Sequence, residues 1–359
     1  MIPTNTESFA PLHPEARPGH RILDRFADRI SFRISHPSKA AQEFPTWVQD
    51  LKRQMAAEFN SPHTTVCFSD GSYSPHNGKH AGCASLIFPP NNAHPIIRKL
   101  ACGHTTAFDA EIMGLTIALH HATITPHTTE IVLYADNEAA LKSLLNPTVH
   151  PSQMCSLLAC QRLRTWFSAS PERHLTIAWC PGHSGIPHQE EADALAKSAL
   201  KGNHPAFTSA SFLKQKAYTS LLASWQLLMT STKYSGRDFP RQRAFRKVSS
   251  TKSQLLLMVG GSNSLAARAA RLILNHGPTG EYRTKFFPYE TTTCNWCRET
   301  QTRTHILFWC THYQRPPDFT VAKYLTSRNP LRGLIQFLRD NPSAFTFEDA
   351  PRNAEDLLP

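Results

Sequence analysis

Between residues 62 and 203, short apolar segments with strand character alternate with longer segments of helical periodicity, and this alternation restricts the possible folds most strongly. The strand-like segments are TTVCFSD (64–70), HAGCASLIF (80–88), HPIIRKLAC (94–102), EIVLYAD (130–136) and HLTIAWC (174–180). The helix-like segments are AFDAEIMGLTIALHHA (107–122), NEAALKSLL (137–145), 153–168 and HQEEADALAKSALK (188–201). Strands interleaved with helices in this order predict a mixed α/β domain with a five-stranded sheet and flanking helices. The nearly continuous apolar run in 130–136 is typical of a strand covered on both faces.

The remaining segments predict further parts of the chain. Residues 1–61, rich in Pro, His and charge, are expected to be a partly disordered linker, with a short amphipathic helix at 46–59. Residues 204–290 are expected to be a helical basic segment, 291–315 a small Cys/His module, and 316–359 a tail with one short helix. In that tail, Asn329 is a candidate N-cap and Pro330 the first helical residue.

The charge distribution indicates a polyanionic partner. The chain of 359 residues has a formal net charge of +11. Residues 201–260 hold ten basic side chains against one acid, Asp238. A solvated helix face is one interpretation of this excess, and contact with phosphates is at least as well supported. The basic side chains are Lys201, Lys214, Lys216, Lys233, Arg237, Arg241, Arg243, Arg246, Lys247 and Lys252.

The cysteine content and the hydropathy pattern bear on the compartment. The first twenty residues lack the apolar run of a secretory signal, and no stretch of about 18 apolar residues occurs, so no membrane span is expected. Nine cysteines, an odd number in a chain without such a signal, argue for a reducing intracellular compartment and against a disulfide framework. The nucleus and the cytoplasm are equally compatible with this pattern.

Four acids stand at strand ends or on adjoining helices. Asp70 ends the first predicted strand, Glu111 lies early in the first long helix, Asp136 ends the fourth strand and Asp193 lies on the last helix. Sites assemble at such positions in α/β sheets. Converging carboxylates repel one another unless a cation neutralises them, and hard oxygen donors suit Mg²⁺ or Mn²⁺. A single Asp at a strand end is usually a turn residue; the set of four predicts a metal site.

The motifs around these acids resemble those of type 1 ribonuclease H. SDGS, AEIMGL, YADNEAALKSL and WCPGHSGIPHQEEADALAK occur in the order of that family, over residues 62–203. The resemblance implies a ribonuclease H-like fold and two-metal hydrolysis of the RNA strand of RNA–DNA hybrids. It implies Asp70, Glu111, Asp136 and Asp193 as ligands of two Mg²⁺ or Mn²⁺ ions. It also implies that His183 lies on a mobile loop and assists protonation or release of the product.

The sequence departs from the family pattern at two points and leaves other functions to weigh. The segment 144–173 is short and lacks the Trp- and Lys-rich protrusion with which some relatives grip the hybrid. His188–Gln189 stands where the family usually has Gly-Asn, which bears on how this loop meets nucleic acid. The alternative function is a nucleic-acid-binding protein whose nuclease activity has lapsed. A serine hydrolase at Ser184 is disfavoured, because GHSGI lacks the last glycine of the nucleophile motif. The Glu on the first helix and PGHSG argue against an integrase of similar fold.

A second candidate metal site lies near the end of the chain. Cys294, Cys297, His305 and Cys310 have the spacing C-x2-C-x7-H-x4-C, which suits one tetrahedral Zn²⁺. NHGPTGEYRTKFF (275–287) and THILFWC (304–310) resemble the end of non-LTR retrotransposon polyproteins, in which a ribonuclease H domain precedes a similar module. ISFRISHPSKAAQEFPTWVQDL (30–51) resembles the connector that follows the reverse transcriptase in such elements, which implies a reverse transcriptase as a partner.

Overall fold

The computed structural model describes residues 5–75, 80–91, 94–233, 254–316, 319–321 and 330–352. Contacts divide the chain into two compact units, residues 1–216 and 217–359. Several predicted features lie outside the described residues: Asp238, Asn329 and the basic side chains of Arg237, Arg241, Arg243, Arg246, Lys247 and Lys252. Within the described ranges, no helix has the length and apolar character needed to cross a bilayer.

The first unit alternates helices and strands as expected. Its elements are α1 (Ile22–Phe26), β1 (Ile30–Arg33), α2 (Phe44–Phe59), β2 (Thr64–Ser74), β3 (His80–Phe88), β4 (Ile96–Gly103), α3 (Ala107–Ile124), β5 (Glu130–Ala135), α4 (Glu138–Ser143), α5 (Gln153–Ser168), β6 (His174–Trp179), α6 (Pro187–Ala199) and the beginning of α7 (Ala210–Thr230). The strands form one mixed sheet in the order β1-β6-β5-β2-β3-β4. The four strands β1, β6, β5 and β2 run parallel to one another. β3 is antiparallel to β2, and β4 is antiparallel to β3.

Helices cover both faces of this sheet. Leu133 of β5 packs in a core with α3 and α5 on one face, and Val132 packs with α2 and α6 on the other. β5 is therefore buried on both sides, which confirms the interpretation of its apolar run. The predicted helix at 46–59 is α2, which buries Val48, Leu51 and Met55.

The sheet has six strands, and the expectation of five is wrong by one edge strand. Ile30–Arg33 pairs in parallel with β6, from Ile30 opposite Leu175 to Arg33 opposite Ala178. Arg33 also forms an ion pair with Glu58 at 2.8 Å, and Glu58 accepts a hydrogen bond from the Tyr134 hydroxyl at 2.7 Å. Residues 30–59 are thus part of the sheet and its covering layer, which contradicts a linker over this range.

Asp70 lies inside β2 and does not end it. The strand continues to Ser74, because Gly71, Ser72 and Tyr73 remain paired with β3. Gly71 is required here: a Cβ at this position would lie 2.6 Å from the backbone nitrogen of Glu111. The close approach of β2 and α3 at Gly71 is what brings Asp70 and Glu111 together.

The second unit has its own core. Its helices are the remainder of α7, α8 (Gln254–Val259), α9 (Asn263–Leu274), α10 (Gly280–Arg283), a π-helical turn (His305–Trp309) and α11 (Pro330–Asp340). Leu334 and Phe337 of α11 pack with Cys294 and Cys310 in one apolar cluster. The buried Arg268 of α9 donates hydrogen bonds to carbonyls at the end of α11 and beyond it, including Leu338 at 2.6 Å. The short helix expected in the tail is therefore α11, and it packs in this core.

Candidate active site and candidate zinc site

Three of the four predicted acids converge at the centre of the first unit. Potential ligand atoms of Asp70, Glu111 and Asp136 all lie within 4.8 Å of one another. They come from three elements: Asp70 from β2, Glu111 from α3, and Asp136 from the residue after β5. The parallel strands β2 and β5 are neighbours, so their acids meet at the same edge of the sheet.

Burial and mutual repulsion dominate the electrostatics of this cluster. Burial, together with the charges of Asp136 and Asp193, raises the pKa of Asp70 to about 7. Burial, followed by the charges of Asp70 and Asp136, raises the pKa of Glu111 well above its ordinary value. Burial also raises the pKa of Asp136, which the charge of Lys39 opposes. All three carboxyls are therefore held in an environment that disfavours their charged form unless a cation is bound.

The donor set fits a hard divalent cation. Glu111 is 6% exposed, and its Oε2 is buried with no hydrogen-bond partner. Such an orphaned acceptor is costly, and a cation bound among the three carboxylates would remove that cost. Carboxylate oxygens are the donors that Mg²⁺ and Mn²⁺ prefer.

Asp193 lies close to this cluster but outside the group of three. Its charge raises the pKa of Asp70 and of Asp136. Its Oδ2 accepts a hydrogen bond from Lys197 at 2.6 Å, one helical turn further along α6. The side chain of Asp193 is 24% exposed, so it borders the site from the solvent side.

Gln189 is a residue of this site that sequence reasoning did not identify. It is buried, and its Nε2 donates to Asp70 Oδ2 and to the Ser69 carbonyl, each at 3.3 Å. In the sequence, the residue stands out only as a departure from the family pattern. Its place four residues before Asp193 was the available signal, because residues i and i+4 share one face of a helix.

His183 lies on the loop between β6 and α6. Its backbone has φ +56°, in the left-handed region that histidine adopts more readily than most residues, and its side chain is exposed. The charge of His183 lowers the pKa of Asp136, so the imidazole is near the carboxylate cluster. Gly182 next to it packs against Asp136: an added Cβ would lie 2.5 Å from Asp136 Oδ2.

Replacing Asp70 by Asn is expected to stabilise the metal-free protein above neutral pH. The pKa of Asp70 is about 7 in the folded protein and about 4 in the unfolded chain, so the folded state favours the protonated carboxyl. This contribution to stability is complete below pH 4 and is lost as the pH rises through 7. At pH 8 the variant should be more stable by on the order of 2–4 kcal/mol, and the two proteins should converge near pH 4. Denaturation in chelator across this pH range measures the effect.

The exposed Asp28 provides the matched control for that experiment. Asp28→Asn removes one carboxylate from the surface of the same unit and should leave the pH profile unchanged. If the free energy of unfolding of Asp70→Asn changed with pH in the same way as that of the wild type, the ionisation of Asp70 would not be the source of the pH dependence.

The second unit contains the other candidate metal site. Ligand atoms of Cys294, Cys297, His305 and Cys310 lie within 4.8 Å of one another, as the spacing predicts. The sulfur of Cys310 is 3.7 Å from that of Cys294 and 3.9 Å from that of Cys297, and Cys297 Sγ is 3.1 Å from His305 Nε2. A tetrahedral ion with bonds of about 2.3 Å separates its sulfurs by roughly 3.8 Å. Burial lowers the pKa of His305, which favours the neutral imidazole that binds metal.

The surrounding residues hold this cluster in a fixed arrangement. Arg315 donates hydrogen bonds to carbonyls of the π-helical turn and its end, among them Ile306, Leu307 and Cys310. All nine cysteines of the chain are free thiols in this structure.

Comparison with known proteins agrees with this geometry. Residues 62–201 match the family model of RNase H. A search of curated proteins gave no match. Among solved structures, the chain is similar to the N-terminal RNase H domain of a Mycobacterium tuberculosis protein, with 23% identity, a TM-score of 0.32, and coverage of 38% of this chain and 94% of that chain.

Two further structures are similar to the chain. RNase H1 of the halophilic archaeon Halobacterium salinarum is 22% identical with a TM-score of 0.29, over 38% of this chain and 97% of that one. The protease–reverse transcriptase of prototype foamy virus is 20% identical with a TM-score of 0.32, over 40% of this chain and 22% of that one. The four sequence motifs and the match to the RNase H family model fall on the same segment, residues 62–201.

Proposed function

We propose that this protein is an endonuclease that hydrolyses the RNA strand of RNA–DNA hybrids with two divalent cations, Mg²⁺ or Mn²⁺. The observation that carries the proposal is the convergence of Asp70, Glu111 and Asp136 around a buried, unpartnered carboxylate oxygen in an RNase H domain. These three residues would hold the ions, and Asp193 would complete the ligand set from α6. Bound cations in such a site activate the attacking water and stabilise the leaving oxygen.

The chain itself orients the carboxylates before any ion binds. Gln189 fixes one oxygen of Asp70, and the indole of Trp179 donates to the backbone carbonyl of Asp136 at 2.8 Å. Gly182 leaves room for the Asp136 carboxylate beside the loop. Pre-orientation of this kind reduces the cost of arranging the ligands when substrate arrives.

His183 is proposed to move a proton to the product and to aid its release. Its exposed imidazole stands beside Asp136 on a loop, and histidine changes charge near neutral pH. Because the carboxylates would still hold the ions without it, its contribution is that of an assisting group.

His183→Ala should slow hybrid cleavage by about 100-fold without abolishing it. His183→Asn should show a similar loss, since Asn tolerates the left-handed backbone at this position but lacks the imidazole. Initial rates with excess substrate and with excess enzyme separate turnover from the chemical step. A loss as severe as that of an Asp70 variant would refute the assisting role.

The Cys/His cluster is proposed to bind one structural Zn²⁺ through Cys294, Cys297, His305 and Cys310. The basic stretch of residues 201–260 is proposed to add affinity for nucleic acid that does not depend on base sequence. The motifs at 275–287 and 304–310 support an origin in a retroelement, with a reverse transcriptase as a partner.

One experiment tests the nuclease directly. The purified full chain is incubated with a labelled RNA–DNA hybrid, first with Mg²⁺ and then with excess EDTA. Cleavage of the RNA strand that stops in EDTA supports the proposal. Binding without cleavage under both conditions would instead support a nucleic-acid-binding protein that has lost its nuclease activity.

A further inference from the structure

The segment between β1 and α2, residues 34–43, lies outside the RNase H match and reaches the candidate active site. The imidazole of His36 stacks on the indole of Trp179, with ring centroids 3.6 Å apart and an angle of 15° between planes. His36 Nε2 also forms a hydrogen bond of 2.9 Å with Glu138, two residues after Asp136. Trp179 donates a hydrogen bond to the Asp136 carbonyl. The segment therefore contacts, through His36, a residue that positions Asp136.

This attachment brings Lys39 to the loop that carries His183. Lys39 Nζ donates to the carbonyl of Gly182 at 3.5 Å. The Cα of Gly182 in turn faces the carboxylate of Asp136. The charge of Lys39 is felt at Asp136, whose pKa it lowers against the effect of burial.

The contacts of Lys39 leave it available for a ligand. Its side chain is exposed, and the bond to Gly182 is at the outer limit for a hydrogen bond, so exchanging it costs little. Lys197, by contrast, is held by Asp193 at 2.6 Å. An exposed ammonium group beside a site that cleaves phosphodiesters matches a phosphate oxygen in charge and in hydrogen bonding.

We propose that Lys39 binds a backbone phosphate of the cleaved strand next to the scissile bond, so that a segment preceding the RNase H match completes the nucleic-acid surface of the active site. This inference rests on the proposed function. Lys39 contributes affinity and position through a charge contact with substrate, and the sequence of the bases plays no part in that contact.

The test compares the full-length wild type with Lys39→Gln, Lys39→Arg and Lys99→Gln. Lys99 is an exposed lysine of β4, at the opposite edge of the sheet from β1, so its variant makes the same charge change elsewhere on the unit. Cleavage of a labelled RNA–DNA hybrid is measured in Mg²⁺ at several salt concentrations. Hybrid binding is followed in parallel by fluorescence anisotropy in EDTA.

Lys39→Gln should raise the KM for the hybrid about tenfold at low salt. It should also reduce the slope of log affinity against log salt by about 0.7–0.9, the value of one lost phosphate contact. Lys39→Arg should retain most of the affinity and the full slope, and Lys99→Gln should match the wild type. A purely structural role of Lys39 would change the melting temperature but leave the salt slope intact.

The outcomes separate this inference from the proposed nuclease. If the wild type cleaves the hybrid and Lys39→Gln behaves like Lys99→Gln, the phosphate contact is refuted and the nuclease stands. If the wild type binds but does not cleave, the nuclease is refuted, and the anisotropy slope alone supports or overturns the contact. Failure of the wild type to bind the hybrid would overturn both.

Discussion

Asp136→Asn is expected to lower the rate of hybrid cleavage by at least about a thousandfold, because it removes a charged metal ligand at nearly constant volume. Asp136 follows β5 and shares one cluster with Asp70 and Glu111, and its backbone is fixed by Trp179. An amide at this position keeps the shape of the side chain but binds a divalent cation far more weakly. Asp70→Asn is expected to have the same effect.

The measurement is the cleavage rate in saturating Mg²⁺, with the melting temperature recorded for each variant. A loss of activity in a protein that is as stable as the wild type in chelator, or more stable, cannot result from unfolding. Glu191→Gln is the matched control: Glu191 is exposed on α6, two residues before Asp193, and its variant should retain wild-type activity. Full activity of both Asp variants would show that these acids do not form the site.

The central elements were predictable because their signals are local. Consecutive residues carry both the apolar run of β5 and the helical spacing of α3. The apolar run by itself indicates that β5 is buried on both faces of the sheet. The edge strand β1 was not predictable in this way. Its four residues, ISFR, carry a weak alternating pattern, and their partners are residues 175–178, more than a hundred positions away. The local sequence of β1 therefore contains no signal for its pairing with β6.

The candidate site also combines residues that have a local sequence signal with residues whose positions depend on distant partners. Asp70, Glu111 and Asp136 were found through the motifs that surround them, and the structure brings their carboxylates together. The sequence predicts that the first strand ends at Asp70, yet β2 continues to Ser74, because β3 supplies hydrogen-bond partners that the local sequence does not reveal. The place of Lys39 at the site is not predictable from local sequence, because it depends on a contact with Gly182, 143 positions away.

Cys297→Ser is expected to release one zinc ion per chain and to abolish the cooperative unfolding of residues 254–345. Cys294 and Cys310 are fully buried and pack with Leu334 and Phe337, so the ligands and the apolar core are one structure. Burial raises the pKa of the Cys310 thiol to about 12, and its sulfur lies 3.7 Å from that of Cys294 and 3.9 Å from that of Cys297. Metal bound by such a cluster supplies roughly 10–16 kcal/mol in small zinc modules, more than the total stability of most domains.

Elemental analysis of protein purified without chelators measures the zinc, and limited proteolysis reports on the fold. Cys155→Ser is the matched control, because Cys155 is a half-buried thiol of the first unit; its variant should keep the full zinc content. In Cys297→Ser, protease should cut between residues 290 and 315, and also near α11, because that helix shares the core of the cluster. Cutting confined to 290–315 would mean that α11 folds without the metal.

Hybrid cleavage should largely survive Cys297→Ser, since the proposed cations of the first unit are held by carboxylates. A variant that loses its zinc and keeps its cleavage rate, but binds the hybrid more weakly, would assign the second unit to gripping nucleic acid. If all nuclease activity is lost while the first unit remains folded, the two units act together in catalysis. The separations of the four donor atoms are the basis for proposing a zinc site. Absence of zinc from the wild type would therefore refute the site itself.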